Sequence, residues 1–210
     1  MCLAADRNIT LRRAAHLAVG AVVFPTVIGW CALVCRGRHP VRLLLGYRHR
    51  EEARRAVGVS GQACASVRKV ARAVQRYLCG RSTTIPRLAV MPSGTLFQRR
   101  VWSVVQGIPC GTAWTYGEVA EALGNRRLAR AVGQALARNP LPLFIPCHRV
   151  VASRGNQSGG WGLGGFSARG GSGLKARLLR LEGCVIVPGR SSLRFRRGRW
   201  PSGARRCGFS

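Results

Sequence analysis

The apolar positions of the chain fall into two blocks with different periods. Residues 27–35 and 41–47 are short, dense apolar runs separated by the turn-forming Arg36-Gly37-Arg38-His39-Pro40, which reads as two strands of a hairpin. After Glu51-Glu52-Ala53-Arg54-Arg55-Ala56-Val57 the period changes. Across residues 63–78, Val67, Val70, Ala71, Val74 and Leu78 recur at helical spacing, and Gly80 ends that helix. Together these elements predict a small α/β unit running to about residue 90.

The second block opens at Pro92-Ser93-Gly94. Phe97, Val101, Val104, Val105 and Ile108 share one helix face, which Pro109 stops. Thr115-Tyr116-Gly117-Glu118 is a capping-box pattern that starts a short helix carrying Val119, Ala120 and Leu123 inward. Gly124-Asn125 breaks it, and Asn125 can cap a further helix with Leu128, Val132, Ala135 and Leu136 toward the core. Two short helices about a glycine-containing turn make either a helix-turn-helix or an ordinary helical hairpin. The pattern then predicts a strand over 141–145, a turn at Pro146-Cys147-His148-Arg149, a second strand from Val150, a glycine-rich loop, and a helix over 174–182 closed by Gly183. The expected organisation is an extension over 1–20, a first domain over 21–90, a second over 91–186, and a flexible basic tail over 187–210.

Composition narrows the function classes. A chain of 210 residues that is 47% hydrophobic can hold one full domain or two small ones. Its formal net charge of +29 comes from 35 Lys and Arg against six acids, which points to an anionic partner, most commonly nucleic acid. Only Lys69 and Lys175 are lysines, so arginine-rich codon usage is a competing source of that charge. Nine cysteines, an odd number without tight regular spacing, favour a reducing intracellular compartment, cytoplasmic or nuclear, over a disulfide scaffold. Residues 14–35, preceded by Arg12 and Arg13, also fit a signal anchor, but Gly20, Pro25 and Gly29 divide them and the hairpin competes, so no membrane partner is expected. Cys31-x3-Cys35 with His39 is a weak zinc pattern beside same-face strand packing, and no metal is expected.

A cysteine that follows an apolar run and a proline, beside the only histidine in the second half of the chain, is a candidate nucleophile; the bland alternative is an inert buried thiol beside a surface histidine. Neighbouring side chains point apart, so His148 would act on Cys147 through a bridging water. A base needs an orienting carboxylate. Of Glu118, Glu121 and Glu182, the first is explained by its capping role and Glu182 is the better candidate. The outward Arg126, Arg127, Arg130 and Arg138 suit phosphate contacts, one of them able to enter a groove, with a solvated surface as the alternative.

Pro146-Cys147-His148-Arg149-Val150, with Ala129-Arg130-Ala131-Val132-Gly133 and Asn139-Pro140 before it, resembles the methylated-DNA–protein-cysteine methyltransferase family. The likeness runs in order from Gly94-Thr95-Leu96-Phe97-Gln98 through Ile108-Pro109-Cys110-Gly111 and Thr115-Tyr116-Gly117 to Lys175 and Leu178-Leu179-Arg180-Leu181-Glu182-Gly183. More loosely, Phe24-Pro25-Thr26 and Gly29-Trp30 resemble that family's first domain. The resemblance implies an α/β (α+β) protein, a small ribonuclease-H-like domain followed by a winged-helix-like alkyltransferase domain. It implies that Cys147 accepts an alkyl group once and irreversibly from O6-alkylguanine, and by extension O4-alkylthymine, in double-stranded DNA. His148 would be the base and Glu182 would complete the relay, with Asn139 bracing the turn. Tyr116 would help rotate the nucleotide out and protonate the departing guanine, and Arg130 would fill the vacated stack. Lys175 falls at the family's lysine. The loop between cysteine and lysine is longer than the family's. Counting back from Lys175 selects Gly165-Phe166-Ser167, so that Ser167 bonds the base and Phe166 walls the pocket, with Trp161 as the rival wall. No cofactor is implied, and a monomer is expected. The competing reading is a DNA-binding helix-turn-helix module without transfer activity.

Overall fold

The structure is a computed structural model that describes residues 19–82, 84–153, 161–186 and 193–194. The expected extension over 1–20 and the basic tail fall almost wholly outside those residues. The chain divides into two compact units, Met1–Pro92 and Ser93–Ser210.

In the first unit β1 (Val19–Thr26), β2 (Gly29–Arg36) and β3 (His39–Tyr47) form an antiparallel sheet in the order β1-β2-β3. The central strand carries five consecutive buried residues, Cys31 through Cys35, because it has a strand on each edge and helices against it. Those helices are α1 (Arg50–Val57) and α2 (Ala65–Leu78). Val67, Ala71, Val74 and Leu78 of α2 are buried, as their spacing requires, while Val70 is half-buried. The pattern missed β1. Its apolar residues do not alternate cleanly, and Pro25 is tolerated there because β1 is an edge strand. With residues 19–36 in two strands, the anchor alternative for residues 14–35 is replaced from residue 19 onward; among the described residues no helix is long and apolar enough to cross a membrane. Cys35 Sγ donates to Gly20 O at 3.2 Å inside the sheet, whereas His39 is exposed.

The second unit begins with α3 (Leu96–Gln106), set by a capping box: Thr95 accepts from Gln98 N at 3.2 Å, and Thr95 N donates to Gln98 Oε1 at 2.9 Å. After β4 (Trp114–Thr115) a second box starts α4 (Tyr116–Ala122), with Thr115 N to Glu118 Oε2 at 2.6 Å and Glu118 N to Thr115 Oγ1 at 3.1 Å. Asn125 accepts from Arg127 N at 3.0 Å and caps a single 3-10 turn, Arg126–Leu128, that runs into α5 (Ala129–Ala137). Helix α3 packs on both α4 and α5.

The strand expected over 141–145 is absent. Pro140 and Pro142 supply no N–H, Leu143 sits at φ 75°, and only the isolated bridge Pro142↔Ile145 remains. The following strand, β5 (Val150–Ser153), pairs in parallel with β4 and antiparallel with β6 (Trp161–Gly162). Helix α6 (Gly171–Leu181) starts three residues before the expected 174, because Gly170 and Gly171 take left-handed backbone at φ 98° and 51° to turn into it. A short pair, β7 (Val185–Ile186) and β8 (Leu193–Arg194), follows.

One buried contact fixes α5 on α3. Trp102, 1% exposed, donates from Nε1 to Ala135 O at 3.0 Å, and Ala135 is among the last four carbonyls of α5, which have no intrahelical donor. Trp102→Phe should therefore cost about 1–3 kcal/mol by leaving that carbonyl unpaired; urea unfolding of the two proteins measures it, and equal midpoints would remove this role.

Candidate active site

The cysteine lies on a turn built by one side chain. Asn139, two residues beyond α5, accepts from Leu141 N at 3.0 Å through Oδ1, while its Nδ2 donates to Ile145 O at 2.9 Å and to Cys147 Sγ at 3.2 Å. This amide ties both ends of the 139–147 loop, and so does for the backbone what a strand ladder would have done. Cys147–Arg149 form a 3-10 turn, which leaves Cys147 6% exposed and His148 fully buried.

Around His148 the chain gathers its charge on one carboxylate. Glu182, whose side chain is 2% exposed, pairs with His148 Nε2 at 2.7 Å through Oε1. Arg149 donates to the same carboxylate in a fork, Nε to Oε2 at 2.8 Å and Nη2 to Oε1 at 2.9 Å, and Gly111 N approaches Oε2 at 3.4 Å. Arg149 Nη1 also donates to Ile108 O at 2.5 Å, tying the end of α3 into the cluster. Burial alone would raise the Glu182 pKa, but His148 and the Arg149 guanidinium outweigh it and hold the carboxyl well below the usual range. An ionised carboxylate only accepts, so Nε2 carries the imidazole proton. Burial lowers the His148 pKa despite the opposing Glu182 charge, so the ring is neutral near pH 7 and Nδ1 presents a lone pair. That nitrogen is buried and makes no hydrogen bond among the described residues.

Cys147 opens onto a pocket of about 280 Å³ lined by Tyr116, Gly133, Leu136, Ala137, Gly165, Phe166 and Ser167. The volume lies at the small end of ligand sites and suits a single aromatic base. Gly133 forms part of the wall, where a Cβ would stand in ordinary van der Waals contact, 3.7 Å, with the Tyr116 ring. Lys175 is fully buried and donates to Val150 O at 2.6 Å and Gly165 O at 3.2 Å, with Nζ 5.8 Å from the Tyr116 ring centroid. Burial, against the favourable Cys147 thiolate, pushes its ammonium down to about 8. The Cys147 thiol is raised by burial, which outweighs the Asn139 N–H and the Lys175 charge that favour thiolate. Tyr116 is raised too, by burial and then by Cys147.

Of the residues singled out in the sequence, Cys147, Tyr116, Phe166 and Ser167 line this pocket, Asn139 bonds the cysteine sulfur, Lys175 bonds the backbone of the lining residue Gly165, and His148 pairs with Glu182. Arg130 is not among the pocket's lining residues; it lies on the exposed face of α5, where Arg127 and Arg138 beside that helix are exposed as well. The side chain of the rival Trp161 falls outside the described residues. Arg126, read with the other arginines as suited to phosphate contacts, is exposed and pairs with Glu121 at 3.2 Å. Sequence reasoning passed over Arg149 and Gly111 as partners of Glu182. The signal was present: a carboxylate buried deeply enough to orient a histidine needs donors of its own, and an arginine directly follows that histidine.

The family described as 6-O-methylguanine DNA methyltransferase, DNA binding domain, matches residues 96–184. The chain is 38% identical over 116 residues to the methylated-DNA–protein-cysteine methyltransferase of Methanosarcina acetivorans, a stretch covering 55% of this chain and 69% of that protein. With the protein of the same name from Archaeoglobus fulgidus it shares 43% over 113 residues, covering 54% and 73%. The chain belongs to the methylated-DNA–protein-cysteine methyltransferase family. The match to the Shigella flexneri methyltransferase, 39% identical over 114 residues, covers 54% of this chain and 62% of that protein. In three dimensions the chain is similar to the Mycobacterium tuberculosis O6-methylguanine methyltransferase, with a TM-score of 0.63 and 31% identity over 79% of this chain and 93% of that one. A structure titled as Mycobacterium tuberculosis OGT in complex with DNA scores 0.62 at 28% identity, covering 78% and 92%.

Because the Glu182 pKa is depressed in the folded protein, the stability it contributes is complete above its ordinary value of 4.5 and is lost as pH falls below it. Glu182→Gln should cost about 3–5 kcal/mol at pH 7, having broken a buried ionic cluster. The gap from the parent protein should narrow progressively below pH 4.5. Denaturant midpoints at pH 7 and pH 3.5 check both, and a pH-independent gap would refute the ionic account.

Proposed function

We propose that this protein repairs DNA by direct reversal, moving an alkyl group from O6-alkylguanine in duplex DNA onto Cys147 in a single, irreversible turnover. The observation that carries the reading is a cysteine bonded by Asn139, within the field of the buried Lys175 and facing a base-sized pocket, backed by a neutral histidine whose other nitrogen is locked to Glu182.

At rest Cys147 is a thiol, since burial holds its pKa up. His148 Nδ1, through a bridging water, takes the Sγ proton as the substrate closes the pocket, and Glu182 stabilises the imidazolium that forms. The sulfur electron pair then attacks the alkyl carbon. A C–S bond forms, the C–O6 bond breaks, and its electrons remain on the guanine, which takes a proton from Tyr116 Oη. Lys175 opposes the negative charge that develops at Cys147 and Tyr116. The thioether has no route back, so each molecule acts once. Ser167 bonds the extruded base and Phe166 walls it, while Arg130, exposed on α5, fills the stack the base has left.

Duplex DNA as partner is supported by the relative solved in complex with DNA and by the exposed arginines on and beside α5. A winged-helix-like reading of the second unit is supported by α4, the capped turn at Asn125 and α5, followed by the small sheet β4-β5-β6. A ribonuclease-H-like reading of the first unit is supported by its three antiparallel strands followed by helices. We read the protein as a monomer working in a reducing compartment, without a dissociable cofactor.

Incubation with a duplex containing O6-methylguanine should add one methyl mass to the Cys147 peptide, and Cys147→Ala should abolish the transfer while leaving affinity for DNA nearly intact. An active alanine variant, or label on another residue, overturns the assignment. Arg130→Ala should slow transfer from duplex roughly tenfold, the equivalent of about 1.4 kcal/mol of lost support for extrusion, yet leave transfer from free O6-benzylguanine unchanged. Equal losses on both substrates would remove Arg130 from the extrusion step.

A further inference from the structure

The first unit is strongly basic in its own right: residues 19–92 carry thirteen Lys and Arg against two acids, Glu51 and Glu52, both on α1. On α2 that charge is ordered. Lys69, Arg72 and Arg76 are spaced three and four apart, which sets them within about 60° of one another on the helix, opposite the buried Val67, Ala71, Val74 and Leu78. All three are exposed, and none makes a hydrogen bond or ion pair through its side chain among the described residues. Arg68, on the flank, is already held by Ala63 O at 2.6 Å. The three cations line an open groove of about 530 Å³ whose far wall is Ser82, Thr84 and Ile85. Like charges at this spacing repel one another in the free helix, and no acidic residue on α2 or in residues 79–92 offsets them.

We infer that the groove along Lys69, Arg72 and Arg76 is a second nucleic-acid surface, binding the phosphodiester backbone of duplex DNA without reading its sequence. The inference rests on the DNA-repair reading above but concerns a face that contributes nothing to the cysteine pocket. The stripe spans about 10 Å at 1.5 Å per residue, over which one DNA strand presents roughly three phosphates. A membrane surface fits less well. An interfacial helix needs a free apolar face, and that face of α2 is buried against the sheet. An acidic protein partner would find no aromatic anchor in the groove.

The test is the salt dependence of binding to an undamaged duplex, measured by fluorescence anisotropy with the full chain. K69Q/R72Q/R76Q should flatten the slope of log K against log salt by roughly 2.7, three phosphate contacts at 0.9 each, and weaken binding tenfold or more at low salt. The charge-keeping K69R/R72K/R76K should retain the parent slope. Transfer from free O6-benzylguanine, which reads the cysteine pocket alone, should be unchanged in both. An unchanged slope in the neutral variant, or a slope lost equally in the charge-keeping one, overturns the inference while leaving the repair reading intact. Stripe-dependent sedimentation with anionic vesicles, with the DNA slope unaltered, would reassign the groove to membrane. Failure of the parent protein to transfer from either substrate would sink the repair reading, and the slope comparison would still decide the groove.

Discussion

The site depends on a carboxylate kept ionised where water cannot reach it. A buried anion is tolerable only if its lone pairs are filled by well-placed donors, and Glu182 obtains them from Arg149, His148 and the Gly111 amide. The carboxylate stands at the end of α6, and its donors come from two other parts of the second unit, the cysteine turn and the loop after α3. The cluster therefore fixes the tertiary arrangement and the imidazole tautomer together. With Nε2 committed as a donor, Nδ1 is the only basic nitrogen left, so the electrostatics of a structural ion pair decide which atom can accept a proton.

The same burial sets a limit on the sulfur. Cys184, also buried, has its thiol pushed up to about 12 by burial and then by the Glu182 charge, so it stays protonated. Cys147 is shielded just as deeply, yet it has an amide N–H on its sulfur and a buried ammonium nearby. These favour the thiolate without producing it at rest. A thiol buried and protonated at rest is protected from oxidation and from stray electrophiles, which suits the single-turnover acceptor proposed above. On the proposed mechanism the thiolate forms only with substrate present, and the resting site supplies the preorganised partners.

Much of this was legible in one dimension because each signal was local. The Thr115–Glu118 box, the Asn125 cap and the helical face of α2 follow from residues within one or two turns of each other; on α3 the expected face holds at Val101 and Val105, but Gln98 and Trp102 are buried where Phe97 and Val104 are only half-buried. Glu182 could be reached by elimination in a chain with so few acids. Legibility failed where a side chain replaced a backbone ladder. Residues 141–145 are apolar enough for a strand, but the prolines around them remove donors and Asn139 makes the bonds instead. It failed again at β1, where an edge strand containing Pro25 carries no clean alternation.

Net charge was the loudest signal and the least specific one. Residues 93–186, which hold the cysteine pocket, carry twelve Lys and Arg against three acids, hardly different from the thirteen against two of residues 19–92. Charge density therefore does not mark out the unit that holds the chemistry. What separates the basic residues is their satisfaction. Lys175 is buried and the Arg149 side chain only 12% exposed; both are bonded inside the protein and act on groups beside them. Arg127, Arg130 and Arg138, and Lys69, Arg72 and Arg76 on α2, are exposed and, among the described residues, without such partners. A cation already neutralised inside the protein tunes a pKa, whereas one left to solvent exchanges counterions with whatever polyanion arrives. The two populations of one residue type thus perform different physical tasks, and burial distinguishes them where composition cannot.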